Sequence, residues 1–266
     1  MSIDDWKRWI GKTETRTEVL DPGSLSRFAA AIGEDIDVER TQPSLAHWAF
    51  FLPVTATEGI GEDGHPKRGG FLPPVTLPRR MFAAADMTFS GALTLGARAT
   101  RTSAITDVAL KSGKSGDLVL VLVEHRIAQD GAEKVVERQT IVYRDAGAPT
   151  PPVIASDPAQ QGDVMWTPNT VDLFRFSAAT SNSHRIHYDL PYATAEEGYP
   201  GLVVHGPFTA ARLFGHARRK GALSAFSFRA MAPMFCGQPI MLRHATDGVE
   251  AARCDGAIAM QAKYSL

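Results

Sequence analysis

Residues 147–163, GAPTPPVIASDPAQQGD, contain four prolines and two glycines and follow neither a helical nor a strand period. They read as a linker between a first unit, residues 1–146, and a second, residues 164–266. The same order of elements can be read on either side. In the first unit a short helix near Asp4–Ile10 precedes a β-branched stretch at Thr13–Leu20. The turn Asp21-Pro22-Gly23-Ser24 leads into a helix over Leu25–Ile32 that stops at Gly33. The apolar run Pro43–Leu52 is predicted to be helical, and residues 58–76, rich in glycine and proline, to be a long loop. Four β-rich runs then span residues 86–145, punctuated by Gly96, Ser112–Gly116 and Asp130-Gly131. In the second unit helix candidates at Asn169–Thr180, Tyr192–Glu197 and Pro207–Lys220 precede strand candidates at Ser224–Ala230, Pro239–Ala245, Val249–Asp255 and Ala257–Tyr264. Helices followed by about four strands, twice, predict an α+β chain made of two copies of one fold.

The helix over 207–220 has the strongest local signals. Pro207 sits in the first turn, where its missing N–H costs nothing. Ala210, Ala211, Leu213, Phe214 and Ala217 share one face. Arg218, Arg219 and Lys220 lie at the negative end of the helix dipole, and Gly221 supplies the stop. A helix this apolar is expected to lie against a sheet.

Composition narrows the partners. With 28 Lys and Arg against 29 Asp and Glu, the net charge of −1 gives no reason to expect a nucleic acid or an anionic membrane. No apolar run approaches the ~20 residues of a membrane span, and MSIDDWKRWIGK lacks the apolar core of a signal peptide, so a cytoplasmic location is expected. Cys236 and Cys254, the only cysteines, have no CxxC spacing and are expected to be free thiols.

The chemistry concentrates in residues 173–214, LFRFSAATSNSHRIHYDLPYATAEEGYPGLVVHGPFTAARLF. Three of the eight histidines, His184, His187 and His205, fall within 22 positions there. TSNSHRIHYD followed by GLVVHGPFTA resembles the active-site segment of the MaoC-like (R)-specific enoyl-CoA hydratases. FLPPVTLPRRMF and ITDVALKSGKSG are similar to segments of the hydroxyacyl-thioester dehydratase type 2 family and of the mesaconyl-C4-CoA (3-methylfumaryl-CoA) hydratases. The resemblance implies a double hotdog, each antiparallel sheet wrapped around a central helix, with a non-catalytic N-terminal copy and a catalytic C-terminal copy. It implies a hydro-lyase that interconverts an enoyl-CoA and a 3-hydroxyacyl-CoA, the preferred substrate being a short branched dicarboxylic acyl-CoA of the mesaconyl-C4 type. Coenzyme A is then part of the substrate, no separate cofactor or metal is expected, and the chain is expected to form a homodimer. Dehydration of 3-hydroxyacyl-ACP or longer acyl-CoA, thioester hydrolysis on the same fold, and a non-catalytic acyl-CoA-binding module stand as alternatives.

By position, the family's catalytic histidine falls on His187 and its catalytic aspartate on Asn182; its asparagine falls on His184, its proline on Arg185, and its oxyanion glycine on Gly206. Asn182 and His184 depart from the pattern, since an amide cannot accept a proton as a carboxylate does. The residue types nonetheless suit hydration. A neutral imidazole can take a proton from water near neutral pH. Asn182 can hold that water without ionising. A helix N-terminus beginning at Gly206 offers N–H groups to the oxygen on which negative charge builds. Arg185 is a candidate partner for a substrate carboxylate, although Asp189, four residues on, is an equally natural partner. His205 is a further substrate-binding candidate, or an anchor for the loop before the helix. Arg79 and Arg80 are candidates for the coenzyme A phosphates. The first copy has no counterpart of the Asn182/His187 pair, and its aromatic residues, including Trp48, Phe51 and Phe82, are candidates for an acyl tunnel wall or plain core.

Overall fold

A computed structural model describes the chain except for residues 1, 114, 115 and 157. Lys114 and Ser115, central to the turn expected at Ser112–Gly116, and Asp157 of the 147–163 stretch therefore lie outside the described residues.

Helix α1 (Ile3–Lys7) is capped by Ser2 in a reciprocal capping box with Asp5 and leads to strand β1 (Thr13–Val19). Helix α2 (Pro22–Ala31) is capped by Asp21, whose carboxylate accepts from Ser24 N–H. Strands β2 (Arg79–Phe89), β3 (Arg98–Gly113), β4 (Gly116–Gln129) and β5 (Ala132–Arg144) complete the first copy. In the second copy come β6 (Val164–Trp166), α3 (Thr170–Thr180), α4 (Gly206–Ala217), and strands β7 (Ala225–Ala230), β8 (Ile240–Ala245), β9 (Gly248–Arg253) and β10 (Ile258–Ser265). All ten strands form one sheet in the order β1-β3-β4-β5-β2-β7-β10-β9-β8-β6. Read outward from the β2·β7 seam, the two sides run 2-5-4-3-1 and 7-10-9-8-6, the same connectivity twice. Every pairing is antiparallel, as expected for strands joined by short turns. Residues 147–163 carry no helix or strand among those described. They lie along the second copy, where Thr150 N–H donates to Gly198 O (2.7 Å) and Ser156 N–H to Cys254 O (2.8 Å).

The two copies differ where it matters for the site. In the second, α4 packs across β7–β10 and buries Phe208, Ala210, Ala211, Leu213 and Ala217. In the first, no α-helix among the described residues corresponds to α4. The predicted helix over Pro43–Leu52 is instead a single 3-10 turn, Ala46–Ala49, bounded by Leu45 (φ 53°) and Phe51 (φ 54°) in the left-handed region. Left-handed residues cannot continue a right-handed helix, and Pro53 follows closely. Strand β2 begins at Arg79 rather than at Asp86, because a register shift between Phe82 and Ala84 breaks the alternation by which its first residues would be read. Three-residue β6 was not anticipated: it is too short to show a period. Cys236 and Cys254 are free thiols.

One core spans both copies. Phe28 of α2, Phe176 of α3 and Phe208 of α4 meet in its centre, the Phe176 and Phe208 rings stacked with centroids 4.8 Å apart and Trp166 edge-on to Phe208 at 4.7 Å. Phe208 is 2% exposed and holds the first turn of α4 to α3 and to the sheet. Phe208→Ala is expected to lower the unfolding free energy by ~3–5 kcal/mol, the usual cost of emptying a fully buried aromatic site, and chemical denaturation measures it.

Candidate active site

The segment 181–187 is pinned in sequence order. Helix α3 ends in the left-handed Ser181 (φ 51°), which turns the chain, and Asn182 N–H donates to Ser177 O at 2.9 Å. The Asn182 side-chain oxygen then accepts His184 N–H at 3.0 Å, an Asx turn that leaves its amide NH2 available. A 3-10 turn, Arg185–His187, follows and buries Ile186 and His187. From the first copy, the loop around Asp63 and Gly64 closes onto this segment: Arg185 N–H donates to Asp63 O at 3.0 Å, and Ser183 Oγ–H donates to Gly64 O. Gly64 adopts φ +86°, and a Cβ there would lie 1.9 Å from Ser183 O, so only glycine allows this approach.

The three histidines come together at the head of α4. His187 and His205 rings lie nearly parallel with centroids 3.5 Å apart; His184 is edge-on to His187 at 5.5 Å and meets His65 of the first-copy loop at 4.1 Å. His187 Nδ1–H donates to Val203 O at 2.7 Å, which fixes the tautomer and leaves Nε2 with the lone pair. Burial pushes His187 down to about 4, only partly offset by that bond. Burial, with His187 and Arg80 nearby, pushes His184 down to about 3, and burial carries His205 well below the ordinary histidine value. All three rings are therefore neutral near pH 7. His205 is the residue immediately before α4, and Gly206 and Pro207 open the helix. The Gly206 N–H has no acceptor within the helix, as is general for the first turn.

Several of the roles expected from the sequence change in this geometry. His205 is wholly enclosed, with Nε2 sharing a 2.8 Å hydrogen bond with Ser177 Oγ and its ring stacked on His187, a setting that fits the anchoring alternative better than direct substrate contact. Arg185 is committed to Asp189 (2.6 and 2.9 Å) and to Glu62 O (3.1 Å), with its guanidinium over Tyr192; a substrate carboxylate would have to displace these partners. Arg79 and Arg80 are only 5% and 9% exposed. Arg79 pairs with Glu197 at 3.0 Å and Arg80 donates to Pro66 O at 3.3 Å, so neither presents a surface cation to coenzyme A phosphates.

A partly open cavity of about 170 Å³ is lined by Phe176, Thr180 and Asn182, by Pro207 in the first turn of α4, and by Phe82 and Trp48 of the first copy; it meets the histidine segment at Asn182, and the three rings themselves are not among its lining. Gly206 adjoins it, since a Cβ there would stand 3.5 Å from Phe82 O. The cavity occupies the space left by the helix missing from the first copy. Its floor carries a polar group that sequence reasoning missed: Glu137, 3% exposed, accepts from His47 Nε2 (3.2 Å), Trp48 Nε1 (3.0 Å) and Gln139 Nε2 (3.0 Å). Burial alone would raise it, but the bonds and charge of His47, with His125 and Gln139, hold its carboxyl down at about 2. The available signal was the parity of β5, which puts Glu137 and Gln139 on the inward face with Val135.

A fold of two such copies, with a neutral imidazole at a helix N-terminus and a partly open cavity at the seam, defines a double-hotdog enzyme, and known proteins agree. The hydroxyacyl-thioester dehydratase type 2 family matches residues 45–236, and the chain belongs to that family. It is 42% identical over 281 aligned residues to the mesaconyl-C(4)-CoA hydratase of Chloroflexus aurantiacus, covering 100% of this chain and 99% of that one. A MaoC-like dehydratase from Phytophthora capsici shares the fold with a TM-score of 0.72 at 12% identity, covering 99% and 97% of the two chains. A Mycobacterium tuberculosis protein described as a double hotdog does so with a TM-score of 0.60 at 11% identity, covering 99% and 97%. The chain is a double hotdog of the α+β class.

Two outcomes follow from the packing. Gly64→Ala is expected to cost at least ~1–3 kcal/mol, the range for backbone strain at a tight contact, and urea unfolding reports it. The histidine cluster also ties stability to pH. Each of the three rings stays neutral in the native protein, whereas in the unfolded chain it titrates near 6.5. Unfolding therefore takes up protons below pH ~6.5, and stability is lost as pH falls from there toward about 4. The slope should approach ~4 kcal/mol per pH unit near pH 5 when three protons are taken up; an unfolding free energy unchanged from pH 7.5 to pH 5 contradicts the neutral cluster.

Proposed function

We propose that the protein catalyses the reversible addition of water across the α,β double bond of a short, branched dicarboxylic enoyl-CoA, mesaconyl-C4-CoA to citramalyl-CoA being the preferred pair. The observation that carries this reading is the His187 ring, anchored through Nδ1 to Val203 O at the head of α4, with Nε2 left as a base. Full-length similarity to a mesaconyl-C(4)-CoA hydratase supports the substrate class. So does the cavity: about 170 Å³ is small beside the ~300–1,000 Å³ of typical ligand sites, which suits a five-carbon acyl group better than a long chain. The second copy supplies the reacting groups, and the first supplies the acyl cavity.

In this reaction His187 Nε2 takes a proton from water while the water oxygen bonds to the β-carbon. The π electrons move toward the α-carbon and the thioester oxygen, and the Gly206 N–H at the α4 terminus donates to that oxygen. One such donor is worth about 3–4 kcal/mol of transition-state stabilisation in comparable sites. The α-carbon then takes the proton back from His187, which completes hydration; dehydration is the reverse. Asn182 stands where relatives of the MaoC-like kind carry an aspartate. Its oxygen is held by His184 N–H, so its NH2 donates to the water oxygen and orients it, leaving all proton transfer to His187. His184 and His205 act as positioning residues that hold the His187 ring.

His187→Ala is expected to lower turnover at least ~100-fold, the lower end of general acid–base contributions, with thermal unfolding kept as a control. Loss of enoyl-thioester ultraviolet absorbance measures the rate; a near-normal rate removes His187 from the role. Because the base must be neutral and burial holds His187 near 4, the hydration rate in wild type should fall on the acid side only as pH drops through about 4–5.

A further inference from the structure

The wall of the acyl cavity has one feature an aliphatic acyl chain does not need. Arg101, on β3, lies in the row Arg101–Ile127–Val135–Phe89 that crosses β3, β4, β5 and β2, one step from the row Ser103–His125–Glu137–Met87. Opposed residues of an antiparallel sheet share a face, so Arg101 points to the same concave side as Glu137, and it lines the cavity with Glu137, Gln139 and His47. Its guanidinium forms no hydrogen bond among the described residues, and its Nε is buried without a partner. Its side chain is 19% exposed, its one ion pair is a long one, 3.7 Å to the Glu14 oxygen that also serves Arg16, and the Phe51 ring lies 5.4 Å away. The neighbouring acids are already engaged: Glu137 accepts three donors, Glu18 accepts Phe51 N–H at 2.8 Å, and Glu14 pairs with Arg16 at 3.5 Å. A mostly dehydrated guanidinium whose five donors make no hydrogen bond, and whose only ion pair is long and shared, gains free energy when a further anion meets it.

We infer that Arg101 binds the free carboxylate of the acyl group at the first-copy end of the cavity and so selects dicarboxylic over monocarboxylic thioesters. The inference rests on the hydration reading for the identity of the thioester, and adds the residue that distinguishes substrates. The two ends of the acyl group are then held by different copies, its thioester oxygen by Gly206 N–H of the second and its carboxylate by Arg101 of the first. A fork-shaped guanidinium fits a planar carboxylate with two parallel hydrogen bonds. Glu137, held ionised by its three donors, sets the limit of the pocket by repelling a carboxylate that slides past Arg101.

Binding of two saturated thioesters, which cannot be hydrated, separates this inference from the catalytic one. Methylsuccinyl-CoA with the thioester on the carbon remote from the methyl branch, and isovaleryl-CoA, differ only in a carboxylate against a methyl group. By calorimetry wild type is expected to bind the carboxylated thioester at least ~10-fold more tightly. Arg101→Gln should bring the two affinities within ~3-fold by weakening only the carboxylated ligand, and Arg101→Lys should retain most of the preference. Equal affinities in wild type, a preference that survives Arg101→Gln, or equal losses for both ligands in Arg101→Gln each overturn the assignment. Failure of wild type to hydrate any enoyl thioester leaves this binding result readable and counts against the hydration reading alone.

Discussion

Antiparallel pairing between β2 and β7, from Ala84 against Arg229 to Thr88 against Ala225, joins two half-sheets into one and sets their concave faces side by side. Side chains on either side of this seam meet across it: Trp48 lies edge-on to Phe82 of β2 and to Phe228 of β7, at 6.0 and 6.2 Å. A helix fills the concavity of the second copy. In the first, only a short turn enters the corresponding space, and the volume left over is the cavity. The register shift between Phe82 and Ala84 falls beside the head of α4, where a regular strand would run straight past. Duplication of one fold thus gives two unlike surfaces, one with a helix terminus and a neutral imidazole, the other with a polar cavity wall.

Burial governs the electrostatics on both sides. In the second copy it strips protons from His184, His187 and His205, so the site holds basic nitrogens without cationic charge. In the first copy three donors converge on Glu137 and keep it ionised in spite of burial. The carboxylate is held by three donors, whereas the histidine cluster is only partly bonded: His187 through Nδ1 and His205 through Nε2, with His205 Nδ1 buried and unpartnered. Partnering is incomplete at Arg101, a lining residue of the cavity whose guanidinium forms no hydrogen bond among the described residues. An unsatisfied buried donor costs ~1–3 kcal/mol or more, which a ligand oxygen can recover on binding.

Much of the second copy was legible in the sequence because its signals are local. Pro207, the apolar face of Ala210–Ala217 and Gly221 mark α4, and the spacing of Asn182, His187 and Gly206 points, through the family resemblance, to the candidate site. Structure adds what spacing cannot carry: the stacking of His205 on His187, and the capture of Arg185 by Asp189. The first copy was less legible. Its apolar run 43–52 has helical composition, but its backbone follows tertiary demands that place Leu45 and Phe51 in the left-handed region. Arg79 and Arg80 looked like surface cations, since a sequence shows charge but not the distant Glu197 and Pro66 O that take them inside. The Glu137 network joins residues 90 positions apart in the chain, a separation at which residue type alone gives no sign of contact.

A crystal structure with a saturated, non-hydratable short-chain acyl-CoA bound would test the division of labour most directly. The expected electron density has the thioester oxygen about 3 Å from Gly206 N, a hydrogen-bonding distance, with the β-carbon facing His187 Nε2 across the space of one water and the acyl group packed against Trp48 and Phe82. An acyl group bound elsewhere, or a thioester oxygen turned away from the head of α4, would contradict it.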